Sequence, residues 1–267
     1  MAIHASVNDR PAVYTWEPNS NSGKPLFVLN EKGVAFDYHY IDLIEFEQHS
    51  PDYLRLNPLG TVPAFIHGSK SLTESTPLCE YIDAAFPGPS LTFPDAAGRY
   101  EMRRWCLLAD RAAESVSVIG WHLHLGPMVR AKPREEIERL VARIPTRERR
   151  ISWLASVDGG FSDDQLDQAR QAIGAFVSRM DAVLAQRAWL AGDRFSLADI
   201  VTFTNFYALP MSSPEFASKE VAPHVLEWLR RIYARPATMR TFSLARGLAR
   251  RAFEIRDMLG APREVRP

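Results

Sequence analysis

The sequence contains very little cysteine. Cys79 and Cys106 are the only two among 267 residues, and they form neither a CxxC pair nor a pattern with metal-ligand spacing. A disulfide framework, a zinc site and a dithiol redox centre therefore lack their residues. We expect no bound metal and a reducing compartment.

An excess of charge and long apolar runs are also missing. Thirty-two basic residues balance thirty-two acidic ones, so no overall field attracts nucleic acid or an anionic membrane surface. No run of about 18 apolar residues is present, and residues 1–13 contain no basic patch followed by an apolar stretch of about 7–15 residues. We expect a cytoplasmic protein that acts neither on nucleic acid nor in a membrane.

Apolar residues still make up 46% of the chain, which is enough for a packed core of one large or two modest domains. The first ninety residues alternate short apolar runs with turn signals, including a turn at residues 57–60 and a hairpin turn at residues 67–70. The predicted elements are strand 12–16, helix 25–32 ended by Gly33, strand 36–41, strand 62–66, strand 71–73 and helix 76–85. Their order is βαβ, then ββα.

The composition changes after a turn-rich linker at residues 86–89. Apolar residues recur at helical spacing, and no convincing strand follows. The predicted helices are 99–123, 165–185, 197–208 and 221–234. Residues 126–160, with weaker periodicity, are expected to be partly helical. The fold class is α+β, with one domain at residues 10–88 and an all-helical domain at residues 95–250.

Three local motifs fit this arrangement. The first is residues 57–65, Asn-Pro-Leu-Gly-Thr-Val-Pro-Ala-Phe, which place a proline at the start of the third strand. The second is residues 73–75, Thr-Glu-Ser, which precede a helix. The third is residues 195–200, Phe-Ser-Leu-Ala-Asp-Ile, which begin another helix. With these motifs the chain resembles the cytosolic glutathione transferases from about residue 14 to residue 236. The resemblance implies an N-terminal thioredoxin-like domain, glutathione as co-substrate and a homodimer.

Pro63 is a candidate for a cis peptide bond. An X-Pro bond costs about 0.5–1 kcal/mol to place in cis, against about 2.5–4 kcal/mol for other residues. A reversal there would expose the main chain of Val62 for pairing with a peptide, and the resemblance makes Val62 and Pro63 glutathione-binding residues. An ordinary proline at the start of a strand is the alternative.

Glu74 and Ser75 come directly before a predicted helix. Ser75 is a predicted N-cap, and the free amides of the first helical turn favour a carboxylate, while Glu74 offers a countercharge to an ammonium group. The resemblance implies that they bind the γ-glutamyl group of glutathione; a plain capped helix is the alternative. His49 is a further candidate, for the glycine carboxylate of glutathione.

The loop at residues 16–25 connects the first strand to the first helix. A serine hydroxyl or an asparagine amide at a helix N-terminus can donate to a thiolate and favour the charged sulfur. Ser22 is our first choice as the catalytic donor and Asn21 the second. Loop and cap roles are the alternative, since both residue types are common there.

Four segments resemble one particular group of glutathione transferases. Residues 21–25, 46–50, 73–81 and 119–121 are similar to the bacterial glutathione-dependent β-aryl etherases of lignin breakdown. This resemblance implies that the glutathione thiolate displaces a phenoxide from the carbon next to a ketone. The products are a glutathione thioether and a phenol.

The small-molecule aromatic substrate should bind between the domains. Trp16, Pro18, Trp121 and His124 can supply apolar and aromatic walls, and His122 or His124 can bond a ketone or phenol oxygen. Trp121 and His124 are three residues apart on a predicted helix and can share a face. Core packing is the alternative for aromatic residues at this spacing.

Asp199 calls for a different interpretation. Ser196 and Asp199 are three residues apart at a helix start, which is a capping-box arrangement, so we assign Asp199 to folding rather than to catalysis.

Two other functions of the protein stay open. One is a transferase for another electrophile or a glutathione-dependent disulfide or peroxide reductase, and the other is a non-catalytic glutathione-binding interaction module.

Overall fold

The computed structural model describes residues 10–262. Residues 1–9, most of the segment searched for a targeting signal, lie outside the described residues. The N-terminal part contains a four-stranded sheet in the order β2-β1-β3-β4, in which β1 pairs with β2 in parallel and with β3 antiparallel, and β3 pairs antiparallel with β4. The strands are β1 (Ala12–Thr15), β2 (Asp37–Tyr40), β3 (Ala64–His67) and β4 (Lys70–Leu72).

Three helices accompany this sheet: α1 (Ser20–Lys32), α2 (Pro51–Leu56) and α3 (Ser75–Ala85). A 3₁₀ turn at Glu47–His49 precedes α2. The predicted βαβ-ββα order is confirmed, and α2 is an element that the sequence pattern did not predict.

Helix α1 ends as predicted but begins earlier. Gly33 closes it in the left-handed conformation with φ 69°. The prediction that the helix starts at Pro25 was wrong, because the helix begins at Ser20. Asn19, in extended conformation, is its N-cap, and the Asn19 carbonyl accepts from Gly23 N–H at 2.9 Å. Pro25 therefore lies inside the helix, where its ring supplies no N–H to the carbonyl of Asn21.

The rest of the described chain is helical, as predicted. The helices are α4 (Ala96–Gly120), α5 (Gly126–Arg130), α6 (Arg134–Ala142), α7 (Arg147–Asp158), α8 (Asp163–Leu184), α9 (Leu197–Phe206), α10 (Leu209–Ser212), α11 (Pro223–Tyr233), α12 (Pro236–Phe242) and α13 (Ala252–Met258). A π-helical turn at Trp121–Leu125 joins α4 to α5. The weakly periodic residues 126–160 thus contain three helices, α5 to α7.

One hydrophobic core joins the two parts. Helix α1 packs against α3 of its own part and against α9 and α12 of the helical part. Phe27 of α1 lies against Phe203 of α9, with 5.7 Å between ring centroids. A second cluster packs α5, α6 and α7 against the segment before α2, where the rings of Phe46 and Trp153 are 4.6 Å apart. Helices α5 to α7 therefore cover this side of the sheet domain.

The predicted capping box at Ser196 and Asp199 is confirmed. Asp199 is fully buried, and its carboxylate accepts from Ser196 N–H at 3.0 Å. The same carboxylate accepts from Leu190 N–H at 3.0 Å and from the indole N–H of Trp228 at 2.9 Å. Asp199 thus joins α9 to α11 and to the turn before α9.

Within residues 10–262, no helix is long and apolar enough to cross a membrane. No group of three or more His, Cys, Asp or Glu side chains in this range is placed to hold a metal ion. Cys79 and Cys106 are both buried. Burial raises the pKa of the Cys79 thiol to about 12, so at neutral pH this thiol is not a nucleophile.

Candidate functional site

The first turn of α1 holds the two predicted thiolate donors. Because the helix begins at Ser20, Asn21 and Ser22 are its second and third residues and lie at the positive end of the helix dipole. Asn21 is exposed, whereas Ser22 is 5% exposed. Within residues 10–262 the Ser22 hydroxyl has no hydrogen-bond partner. Its donation to a bound sulfur stays a prediction.

Glu74 and Ser75 lie at the start of α3, in contact with this turn. The prediction that Ser75 is the N-cap was wrong: Glu74 is the N-cap, with φ 64°, and Ser75 is the first helical residue. The Ser75 hydroxyl donates to Asn21 Oδ1 at 3.1 Å instead of capping the helix. Both residues line a cleft of about 300 Å³, together with Asn21, Thr76, Pro77, Asp110, Ala113, Glu114 and Ser117.

The peptide bond between Val62 and Pro63 is cis, as predicted. The register of β3 with β1 begins at Ala64, so the main chain of Val62 stays outside this ladder. The turn before it is held by Asn57, whose side-chain amide donates to Thr61 O at 2.8 Å. The main chain of Val62 is therefore not used by the β1–β3 pairing, and its strand-like contact with a peptide stays a prediction.

His49 lies behind this turn. Its ring is 2% exposed, and neither ring nitrogen has a partner within the described chain. Burial, followed by the positive charges of Arg149 and Arg143, lowers the pKa of His49 to about 4, so the ring is neutral at pH 7. The glycine-carboxylate contact predicted for His49 stays a prediction.

Arg149 of α7 closes the same region, and sequence reasoning missed it. Its guanidinium donates to the carbonyl oxygen of Leu59 and, at 3.5 Å, to that of Gly60. Gly60 is required at this point, because it has φ 61° and a Cβ there would lie 2.4 Å from His49 Nδ1. Arg149 thus holds the turn that precedes Pro63 by hydrogen bonds, and the His49 ring packs against Gly60 in that turn.

Trp16 and Pro18 lie in the loop before α1. Trp16 is half-buried. Its indole N–H is buried and has no hydrogen-bond partner among the described residues. Pro18 is buried directly against Gly23, where a Cβ would lie 2.6 Å from the Pro18 carbonyl oxygen. Asn19, in the same loop, donates to the Tyr207 hydroxyl at 3.5 Å. Tyr207, which follows α9, is a neighbour of the loop that the sequence did not single out.

The side chains of Trp121 and His124 lie in different surroundings. Trp121 packs on Trp153, with 4.7 Å between ring centroids, and donates to Ser156 O at 3.3 Å, so it belongs to the cluster formed by α5 to α7. His124 is half-buried, and burial lowers its pKa, as does the positive charge of Arg251. His122 is exposed. Substrate contacts of Trp121 and His124 stay predictions.

Comparison with known proteins gives the family. The N-terminal domain model of glutathione S-transferases matches residues 14–90, and the C-terminal domain model matches residues 144–236. Protein LigF of Sphingobium sp. strain SYK-6 is 35% identical over 237 residues, which cover 86% of this chain and 92% of LigF. The chain belongs to the glutathione S-transferase family.

Solved structures agree with this transferase in fold. The crystal structure of "Beta-etherase LigF" superposes with a TM-score of 0.83 at 34% identity and covers 87% of this chain and 98% of that chain. A theta class glutathione S-transferase of Xanthomonas axonopodis pv. citri, solved with glutathione bound, gives a TM-score of 0.68 at 25% identity and covers 89% and 99%. Glutathione S-transferase F9 of Arabidopsis thaliana is 27% identical over 82% of this chain and 90% of its own length.

An ion pair next to the transferase's cleft also escaped sequence reasoning. Lys24 is fully buried in α1, and its ammonium lies 2.6 Å from Asp110 Oδ1 of α4. The only local signal was a lysine next to the apolar run of residues 25–29, where a buried charge requires a partner. The partner is 86 positions away, so the sequence could not name it.

Proposed function

We propose that this transferase uses the glutathione thiolate to cleave the β-aryl ether bond of lignin-derived aromatic ketones. The observation that carries the proposal is the similarity to LigF, at 35% identity over nearly the whole of both chains, together with the structure of that protein under the name beta-etherase. The cis bond before Pro63 and the Glu74-Ser75 start of α3 support glutathione binding at this site.

Glutathione would lie along three of these features. Val62 offers main-chain groups to its backbone, Ser75 and the first amides of α3 face its α-carboxylate, and Glu74 offers a countercharge to its ammonium group. His49 is the proposed contact of its glycine carboxylate. These contacts fix the thiol next to the first turn of α1.

Ser22 is the proposed donor to the thiolate, with Asn21 as the second candidate. A hydrogen bond to a charged group contributes about 1.5–3 kcal/mol. This corresponds to a fall of about one to two units from the ordinary thiol pKa near 8.5. The positive end of the α1 dipole acts in the same direction. A larger fraction of bound glutathione is then thiolate at neutral pH.

The reaction is a displacement at the carbon next to the ketone. The thiolate sulfur forms a bond to that carbon as the bond from the carbon to the aryl oxygen breaks, and the phenoxide leaves with the electron pair. The neighbouring carbonyl activates the carbon, and the phenoxide takes a proton from water. The protein orients the two reactants and stabilises the thiolate. Trp16, Pro18, Trp121 and His124 are the proposed contacts of the aromatic substrate.

Phenol release from a racemic β-aryl ether ketone, with and without glutathione, tests this function. Chiral chromatography of the remaining substrate shows whether one enantiomer is selected. We expect glutathione-dependent release that stops near half conversion. The corresponding alcohol, which lacks the activating ketone, is the matched control substrate and should stay intact.

The other outcomes separate the alternatives. Glutathione binding without phenol release would reject the etherase and direct the search to other electrophiles, or to disulfides and peroxides as substrates of a reductase. Binding without turnover on any of these would favour an interaction module. The homodimer and the cytoplasmic location also stay predictions, and sedimentation equilibrium of the purified chain tests the first.

A further inference from the structure

The contacts of Lys24 extend beyond its ion pair. The ammonium lies 2.6 Å from Asn21 Oδ1 as well as 2.6 Å from Asp110 Oδ1, and it lies 3.3 Å from the hydroxyls of Ser75 and Thr76. An ammonium group has three N–H donors and no acceptor. Its three N–H bonds are therefore shared among four oxygens, with the shortest contacts to Asn21 and Asp110, and each oxygen is an acceptor toward Lys24.

The Asn21 side chain is oriented by these contacts. Its oxygen accepts from Lys24 and, at 3.1 Å, from the Ser75 hydroxyl. A carboxamide carries one oxygen and one NH₂ group, so the oxygen must face the two donors and the NH₂ group must face away from them. Asn21 is exposed and lines the cleft with Glu74 and Ser75, and its NH₂ group has no partner within residues 10–262.

Asp110 completes the arrangement from the other domain. Its second oxygen accepts from the Thr76 hydroxyl at 2.8 Å, in the first turn of α3. The buried positive charge of Lys24 is thereby compensated, and the starts of α1 and α3 are both joined to α4. Asp110 therefore neutralises Lys24, and Asp110, Ser75 and Thr76 together keep its ammonium within reach of Asn21.

We propose that Lys24 is a positioning residue, which holds the Asn21 oxygen so that the Asn21 NH₂ group is presented to glutathione in the cleft. The inference rests on the proposed glutathione site, but not on ether cleavage. Lys24 itself does not touch glutathione; it acts through Asn21. Without Lys24 the Ser75 hydroxyl is the remaining contact of the carboxamide. Because a hydroxyl can donate to the oxygen or accept from the NH₂ group, it does not fix either orientation.

A double-mutant cycle tests this relationship through the dissociation constant of glutathione, measured by calorimetry. Lys24 and Asp110 are replaced together, as K24M/D110L. Removal of Asp110 alone would leave the fully buried Lys24 charge uncompensated, and removal of Lys24 alone would leave Asp110 without its ion-pair partner. N21A and the combined N21A/K24M/D110L complete the cycle. We expect K24M/D110L and N21A each to weaken binding about tenfold, the loss of one hydrogen bond to a charged ligand. In the N21A background the further change should be absent.

Independent effects would give the opposite result. If the two losses multiply to about a hundredfold in the combined variant, Lys24 does not act through Asn21 and the inference is overturned, while the proposed function stands. If the wild-type chain binds no glutathione at all, the proposed function fails and the inference fails with it.

A measurement on the wild-type chain avoids any folding defect of K24M/D110L. With ¹⁵N-labelled asparagine, the side-chain NH₂ signals of Asn21 are assigned by comparison with N21S and followed during a glutathione titration. We expect both proton signals to move as glutathione saturates the site. Stationary Asn21 signals at saturation would refute the proposal, whatever the variants do.

Discussion

The carboxylate of Glu17 accepts a hydrogen bond of 2.9 Å from the backbone N–H of Gly247, 230 positions further along the chain. The same oxygen accepts from Arg246 N–H at 3.1 Å and from the Tyr40 hydroxyl at 3.0 Å. Glu17 is 2% exposed. The loop that carries Trp16 and precedes α1 is therefore joined to the segment that leads into α13.

Replacing Glu17 with alanine should release the C-terminal segment. Three donors lose their acceptor, and each buried group left unpaired costs about 1–3 kcal/mol. We expect Glu17→Ala to lower the free energy of unfolding and to speed hydrogen exchange in residues 244–258. Glu17→Gln keeps an oxygen acceptor and should exchange at a rate close to that of wild type. Equal exchange rates in wild type and both variants would show that the hydrogen bonds of Glu17 are not needed to hold the C-terminal segment.

Ser22 and Asn21 can be separated by the ionisation of bound glutathione. If Ser22 donates to the sulfur, Ser22→Ala should raise the pKa of the bound thiol by about one to two units. Asn21→Ala should weaken glutathione binding and leave that pKa closer to the wild-type value. Thiolate absorbance followed against pH measures both. A wild-type profile in Ser22→Ala with a shifted one in Asn21→Ala would reverse the two assignments.

Local signals predicted much of the fold. Gly33 ends α1 because a left-handed residue is needed there. Residues 62–73 formed the predicted hairpin, and Pro63 adopted the cis bond. Ser196 and Asp199 formed the capping box. Each of these features depends on residues within a few positions of one another, so a short stretch of sequence contains all the necessary information.

Long-range contacts account for what was missed. Glu17 finds Gly247, and Lys24 finds Asp110, only after the helical domain has packed on the sheet domain. Ser75 was assigned as an N-cap from its position alone, but in the fold its hydroxyl meets Asn21, which comes from a different helix. Partners of this kind are set by tertiary packing, which a pattern of neighbouring residues does not specify.

The buried ring of His49 should make stability depend on pH. The unfolded chain binds a proton to this histidine below about pH 6.5, whereas in the folded chain burial lowers its pKa to about 4. Stability from the neutral ring is therefore fully present above pH 6.5 and is lost as the pH falls from 6.5 to 4. The difference amounts to at most about 3 kcal/mol.

Replacing His49 with glutamine should remove this dependence. We expect the difference in unfolding free energy between wild type and His49→Gln to change by up to about 3 kcal/mol between pH 7 and pH 4, with wild type losing more. Urea unfolding at several pH values measures it. Parallel curves for the two proteins would mean that His49 is not the titrating group.

Asp199 offers a sharper test of a fully buried carboxylate. Its four hydrogen bonds come from Ser196 N–H, the Ser196 hydroxyl, Leu190 N–H and the Trp228 indole. Burial raises the pKa of Asp199 to about 6, so the variants are compared at pH 8, where the carboxylate is ionised. Asp199→Ala leaves three buried N–H donors without an acceptor and should cost about 3–5 kcal/mol.

Asparagine at position 199 is the matched control for this change. Asp199→Asn keeps an oxygen for Leu190 and Trp228 but turns a donor toward Ser196 N–H, so it should lose about half as much stability as Asp199→Ala. Calorimetric unfolding at pH 8 measures both, and glutathione affinity at a temperature where each variant is folded should stay near wild type. The contacts of Asp199 join α9, α11 and the turn before α9, and none of these contact residues lines the cleft. A large loss of glutathione affinity in the folded variants would therefore contradict the assignment of Asp199 to folding.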